Sequence, residues 1–191
     1  MELTPELLLR AYCNGIFPMG DDASDEIRWY SPNPRCIFDL ETFHPSKRLM
    51  RTYRHGGFEF RINSAWTEVL QHCAARESTW ITAQIYDAYS QLNALGFAHS
   101  VEAYKDGQLA GGLYGVSVGG AFMGESMFHL VTDASKLALV YLVERLKERG
   151  FVLLDTQFMT DHLATFGATN ISRDQYLERL NHALTLQCKF D

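Results

Sequence analysis

The chain has 191 residues, 47% of them hydrophobic and 13% aromatic, and a formal net charge of −6. Such a length and composition suit one ordinary domain with a real core, with room for a small appended subdomain. The negative charge argues against nucleic-acid binding over the whole surface, and no run of ~18 apolar residues is present to span a membrane. The start, MELTPELLLRAYCNG, lacks the basic residues and cleavage site of a signal peptide. Cys13, Cys36, Cys73 and Cys188 are far apart with no C-x-x-C pair, which points to four reduced thiols in a cytoplasmic protein.

Residues 4–15 read as a helix, capped by Thr4, begun by Pro5 and stopped by Gly15, with Leu7, Leu8 and Ala11 as its apolar stripe. Residues 16–35 read as loop: four of the five prolines fall between 18 and 45, and acidic residues cluster at 21–26. Only IRWYS, 27–31, suggests a short strand. A boundary near residue 34 divides a small N-terminal subdomain, 1–33, from a main domain, 34–191. SKRLMRTYRHGG is a helix closed by Gly56 and Gly57, and FEFRIN alternates as a strand does. SAWTEVLQHCAAR is a helix with Ser64 as its cap, and TAQIYDAYSQLNALG is another that ends at Gly96.

FAHSVEAY, LAGGLYGVSV and AFMGESMF form an antiparallel meander turned at KDGQ and at Gly119–Gly120. DASKLALVYLVERLKERG is apolar nearly all round at 137–143 and reads as a deeply buried helix. FVLLDTQF has too few polar residues to face water and belongs at the centre of a sheet. The last helix, ISRDQYLERLNHAL, opens with a capping box of Ser172 and Gln175. The order predicts an α+β fold, a mixed sheet flanked by helices. It matches the GCN5-related N-acyltransferase fold, although order alone does not establish chemistry.

Three stretches carry candidate chemistry. On the strand LLDTQF, Asp155 and Gln157 share one face, as a satisfied internal network or as a polar floor for a reaction. Glu125 is the one carboxylate in FMGESMF; alternation places it with Met123 and Met127, opposite Phe122, Gly124, Ser126 and Phe128. A charge in such company is costly to bury unpaired. It awaits either a cation of the protein or one carried in by a ligand. Lys47, Arg51 and Arg54 fall at i, i+4 and i+7 of one helix, flanked by Arg48 and His55, with no acidic residue in 44–58. That stripe is either a solvated face or a seat for phosphates. No Gly occurs between Gly124 and Gly150, so the pyrophosphate loop of coenzyme A acyltransferases is missing and a different acyl donor is expected.

The ordered string NGIFPM, IRWYSPNPR, STWIT, GFAHSVE, GGLYGV, FMGESMF, DASK, LLDTQF and TDHLATFGA resembles the leucyl/phenylalanyl-tRNA–protein transferase family from about residue 4 to 180. The resemblance implies transfer of Leu or Phe from its tRNA to an N-terminal Arg or Lys of a protein, marking it for the bacterial N-end rule pathway. It implies an N-acyltransferase-like catalytic domain behind a small N-terminal one, with neither metal nor cofactor. By the same resemblance, Glu125 holds the acceptor's basic residue, and Asp155 and Gln157 form the reaction centre. Leu113, Phe122, Leu142 and Leu146 make the aminoacyl pocket. Trp80, Ser126 and Met19 lie near the aminoacyl-adenosine, and Lys47, Arg48, Arg51 and Arg54 hold tRNA phosphates. Met19 stands where the family commonly has Trp, Thr160 where it commonly has Asn, and the late start implies a reduced front domain. The expected partners are aminoacyl-tRNA and basic N-termini, not a membrane, and the chain is expected to act as a monomer. Transfer to another amine, or RNA binding without catalysis, are the competing readings.

Overall fold

A computed structural model of the chain describes residues 3–21, 24, 26–75 and 79–191. It opens with helix α1, Pro5–Cys13, capped by Thr4 as expected. Strands β1 (Phe17–Asp21) and β2 (Glu26–Tyr30) then pair antiparallel, Phe17 opposite Tyr30 and Met19 opposite Arg28. The loop expected over 16–35 is therefore mostly a hairpin. Prolines are tolerated in it because its strands pair on one side only. Asp22, Ala23 and Asp25 of the acidic cluster lie outside the described residues.

Arg35, read as the end of the loop, opens strand β3, Arg35–Phe38, whose other three residues carry no assignment from the sequence; all four are buried. After it come α2 (Lys47–His55), β4 (Phe58–Ile62), α3 (Trp66–Ala74) and α4 (Ala83–Ala94). The meander is β5 (Ala98–Lys105), β6 (Gln108–Val118) and β7 (Ala121–His129). The chain closes with α5 (Ala134–Glu148), β8 (Leu153–Gln157), α6 (Asp161–Ala164), β9 (Thr169–Ile171) and α7 (Arg173–Leu184). Neither α6 nor β9 is legible in the sequence; each is under five residues, too short to show a period. Ser172 and Gln175 do form a capping box at α7. Ser64, by contrast, is not the cap of α3. Its hydroxyl donates to buried Glu102 at 2.9 Å, and the same carboxylate accepts the N–H groups of Ser64 and Ala65.

Seven strands form one mixed sheet in the order β4-β5-β6-β7-β8-β3-β9. This is the α+β class expected, and β8 is an interior strand as its apolar run demanded. It lies parallel to β7 and antiparallel to β3. One core lies against α1, α3, α4 and α7; a second lies on the other face, under α2 and α5. Residues from α1 and β1, such as Leu8, Tyr12 and Phe17, belong to the same core as α3 and α4.

Regular pairing breaks down at several places in the sheet, two of them along β7. The β7–β8 pairing stops at Met123–Asp155; beyond it the two strands part, β7 staying paired with β6 and β8 with β3. The β6–β7 register also slips, with Tyr114 opposite Ser126 but Gly115 opposite Gly124. Glu125 is the extra residue of that bulge. Gly115 permits it: a Cβ there would lie 2.3 Å from the Met123 carbonyl oxygen and 2.4 Å from the Phe122 ring.

Arg35 and Asp155 tie these pieces together, at 1% and 0% exposure. The guanidinium grips both carboxylate oxygens, Nε to Oδ1 at 2.9 Å and Nη2 to Oδ2 at 2.6 Å. Its Nη1 donates to the Gly15 carbonyl at 3.0 Å, and it lies over the rings of Phe17 and Tyr176 at 4.8 and 4.3 Å. Replacing Arg35 by Ala should cost about 3–5 kcal/mol in urea unfolding, because it strands a buried carboxylate. Arg35→Met combined with Asp155→Leu should lose much less. Equal losses in both variants would show that charge pairing is not what holds this junction.

Candidate active site

A cavity of about 320 Å³ opens in the gap between β7 and β8, beyond their last paired residues. Gly124, Glu125, Ser126 and Met127 line it from β7, and Thr156, Gln157 and Phe158 from the end of β8. The rest of its wall divides by chemistry. On one side stand Leu113, Leu139, Leu142, Leu154 and Leu163, all from the core under α5. On the other stand Met19 of β1 and Trp80, both half-buried. Gly20 brings those two together. Its N–H donates to the Trp80 carbonyl at 2.9 Å, and a Cβ there would lie 2.4 Å from the Thr82 methyl. Ser78 of the STWIT stretch lies outside the described residues.

Glu125 occupies the neck between the two sides. Its Oε1 accepts the Tyr12 hydroxyl at 2.6 Å and Gln157 Nε2 at 3.0 Å, and its Oε2 lies 3.4 Å from the Tyr89 hydroxyl. The hydroxyls of Tyr12 and Tyr89 also hydrogen-bond to each other. No cation of the described residues forms an ion pair with Glu125. Of the two readings of this carboxylate, the internal salt bridge is therefore not the one built. Burial pushes the carboxyl up to about 8, against the lowering effect of the Tyr12 and Gln157 hydrogen bonds. Burial, then the Glu125 charge, hold the Tyr12 and Tyr89 phenols well above their usual range, so both remain donors.

Asp155 sits behind the site rather than in it. Besides Arg35, its carboxylate accepts the Tyr176 hydroxyl at 2.8 Å and the backbone N–H of Gln157 at 2.8 Å. That last bond turns the end of the strand: Gln157 takes a left-handed φ of 66°, uncommon for a residue with a side chain. The turned residue then aims its amide at Glu125. Asp155 and Gln157 are thus joined through the Gln157 backbone rather than by side chains on one face, and of the two only Gln157 lines the cavity.

The aminoacyl pocket expected at Leu113, Phe122, Leu142 and Leu146 needs correction in two places. Leu113 and Leu142 line the cavity; Phe122 and Leu146 do not. Phe122 faces the core against Phe190, with ring centroids 5.0 Å apart. Leu146 shares its stripe on α5 with Leu142 but lies one turn further from the cavity, where Leu139 lies one turn nearer. The shared face of Glu125 with Met123 and Met127 holds for Met123, whose core also holds Tyr12 and Tyr89, and fails for Met127. The bulge reverses the alternation, leaving Met123 in one core and Met127 against the other. Sequence reasoning misses Arg35, Tyr12 and Tyr89. Arg35 alone has a signal, a single charge ahead of the apolar run CIF.

The basic stripe is present on α2. Lys47, Arg51 and Arg54 are exposed and lie beside a shallow depression with Pro45, Met50 and His55. None of the three forms an ion pair within the described residues. Arg48 departs from the expectation: it bonds Asp133 at 2.7 Å, linking α2 to the start of α5. Among the described residues no group of three His, Cys, Asp or Glu side chains is gathered as a metal site would require, and no helix is long and apolar enough to cross a membrane.

A carboxyl with no cation of the described residues, joined to an arm walled by leucines, fits the layout of an enzyme that moves an aminoacyl group. Residues 37–181 match the family model described as leucyl/phenylalanyl-tRNA protein transferase, and residues 1–33 match the model of its N-terminal domain. The chain belongs to that family. A leucyl/phenylalanyl-tRNA–protein transferase of Gloeobacter violaceus is 53% identical over 188 residues, 98% of this chain and 97% of that one. One of Herpetosiphon aurantiacus is 52% identical over 189 residues, 98% of each chain. Among solved structures, a functionally unknown conserved protein of Staphylococcus epidermidis shares the fold, with a TM-score of 0.50 at 9% identity over 90% of this chain and 66% of that one.

The sign of the Glu125 shift gives a stability prediction. The folded carboxyl holds its proton up to about pH 8, whereas an ordinary one releases it near 4.5. The unfolded chain therefore ionises first, and Glu125 subtracts stability as pH rises through that window. Glu125→Gln should gain on the parent between pH 5 and 8, on the order of 1–3 kcal/mol, then level off. A difference that stays flat across that range in thermal unfolding would contradict an uncompensated buried carboxyl.

Proposed function

We propose that this protein transfers Leu or Phe from aminoacyl-tRNA to the α-amine of an N-terminal Arg or Lys of a protein, marking that protein for N-end rule degradation in the cytoplasm. One observation carries the reading: Glu125 stands at the neck of an apolar cavity with no cation of the described residues to pair with. An arginyl or lysyl side chain supplies that cation, the guanidinium through two parallel hydrogen bonds.

In the proposed reaction the leucyl or phenylalanyl side chain fills the arm of Leu113, Leu139, Leu142, Leu154 and Leu163. Trp80 and Met19 flank the terminal adenosine, with Ser126 in the same cavity wall. The neutral α-amine attacks the ester carbon. A C–N bond forms, the bond to the ribose oxygen breaks, and the amine's proton returns to that oxygen. Gln157 is too weak a base to take the proton, so its contribution is a hydrogen bond that orients the reactants. Asp155 acts through Gln157, fixing its backbone, and Arg35 acts through Asp155. Much of the rate then comes from positioning. Lys47, Arg51 and Arg54 hold phosphates of the tRNA, while Arg48 holds α2 in place. The protein works as a monomer.

Peptides that differ only in their first residue, incubated with radiolabelled Leu-tRNA, test the reading. Transfer should be confined to those beginning with Arg or Lys. Transfer to unrelated amines, or RNA binding without transfer, would overturn it. Glu125→Gln should erode the preference for basic first residues while leaving tRNA affinity within about twofold, and an unchanged preference would refute the assigned role.

Charge removal at Lys47, Arg51 and Arg54 together should lower the slope of log affinity for tRNA against log salt by about 2–3. A slope that does not move would place the phosphate contacts elsewhere.

A further inference from the structure

A second cavity, of about 310 Å³, lies beside the first. Its wall carries the charged and polar side chains of Asp133, Ser135 and Lys136 at the start of α5, with His129 and Thr132. Two residues face both cavities, Met127 and His162. Met127 follows the bulge on β7, paired with Leu113, and packs on the core that supplies the leucines of the apolar arm. His162 opens α6 from the other side. Its ring stands edge-on to Phe166 at 5.4 Å, and its Nε2 is buried with no hydrogen-bond partner among the described residues. Between them these side chains separate the apolar arm from a charged compartment.

We propose that Met127 and His162 form the end wall that sets the length of aminoacyl side chain the enzyme accepts. The inference rests on the reading of the first cavity as the aminoacyl site. A phenylalanyl ring reaches further from its Cα than a leucyl side chain, so it meets the wall first. An unbranched thioether suits that place, since it shifts between rotamers to fit either occupant. A larger side chain would have to pass the wall into the space beside Asp133 and Lys136. An indole N–H could find an acceptor there, but only once Met127 or His162 has given way.

Competition within one preparation tests this, because a ratio of two substrates is unaffected by the fraction of enzyme that folds. Met127→Phe should lower kcat/KM for Phe-tRNA relative to Leu-tRNA by about tenfold or more. Met127→Ala should raise Trp-tRNA relative to Leu-tRNA by a similar factor, and His162→Ala should do the same from the opposite side. All variants should keep the parent's preference for Arg and Lys acceptors, which is read at the other end of the cavity. Ratios within about twofold of the parent in every variant would overturn the wall. If Leu is still transferred to basic N-termini in that case, the assignment of the cavity stands without it. A parent that uses neither Leu nor Phe would overturn both.

Discussion

The Arg35–Asp155 pair is the constraint on which the site depends. It is buried, bidentate, and lies where four separate pieces of chain meet: the turn after α1, β3, β8 and α7. Burying two charges costs several kcal/mol each in desolvation, and their attraction does not guarantee a net gain. Stability is therefore a weak reason for the pair to exist. Geometry is a better one. Asp155 Oδ1, already held by Arg35 Nε, also accepts the Gln157 N–H, and that bond puts Gln157 in a backbone region it would not choose alone. A leucine at 155 could fill the same space but could not turn the strand end.

The pair also explains why no cation of the described residues pairs with Glu125. Arg35 is the cation packed into this core, and it is committed to Asp155. Its field at Glu125 is the smallest of the influences on that carboxyl, well behind burial. What Glu125 receives instead are phenol and amide hydrogen bonds, which can be kept when a cation docks. A protein cation at this neck would have made the core more comfortable and the cavity useless to a basic ligand. With its carboxyl raised to about 8 the group is largely protonated near neutral pH, and in the proposed reaction the arriving cation calls out its charge. An apolar or acidic chain end would have to bury the neck without that exchange.

The framework was legible because long elements carry strong periods. The buried helix at 133–150, the meander with glycines at its corners and the interior strand at 151–158 all stood in the residue pattern. Short pieces did not. RCIF has four residues and no alternation, yet it is the strand that brings Arg35 to Asp155. The hairpin at 17–30 was hidden by prolines that argue for loop. At the site, the polar pair and the lone carboxylate could be read from their neighbours, whereas their orientation could not. Alternation assumes an unbroken ladder, and one inserted residue at 125 invalidates it for everything downstream on β7. Gly115, the residue that permits the bulge, gave no sign of it, since a glycine in GGLYG reads equally well as a corner.

That inserted residue settles how the two halves of the cavity come to have opposite chemistry. Without a bulge, residues 123, 125 and 127 would share one face of the sheet, and Glu125 and Met127 would point to the same side. With it, Glu125 joins the tyrosines of α1 and α4 on one side, and Met127 joins the leucines of α5 and α6 on the other. The β7–β8 pairing ends at the same level, so the sheet is open where the chemistry changes. In the proposed reaction a substrate therefore passes through the plane of the sheet. Its cationic partner is held on the hydrogen-bonded side, its apolar side chain lies on the other, and the ester carbon sits in the gap, within reach of an amide set there by Asp155.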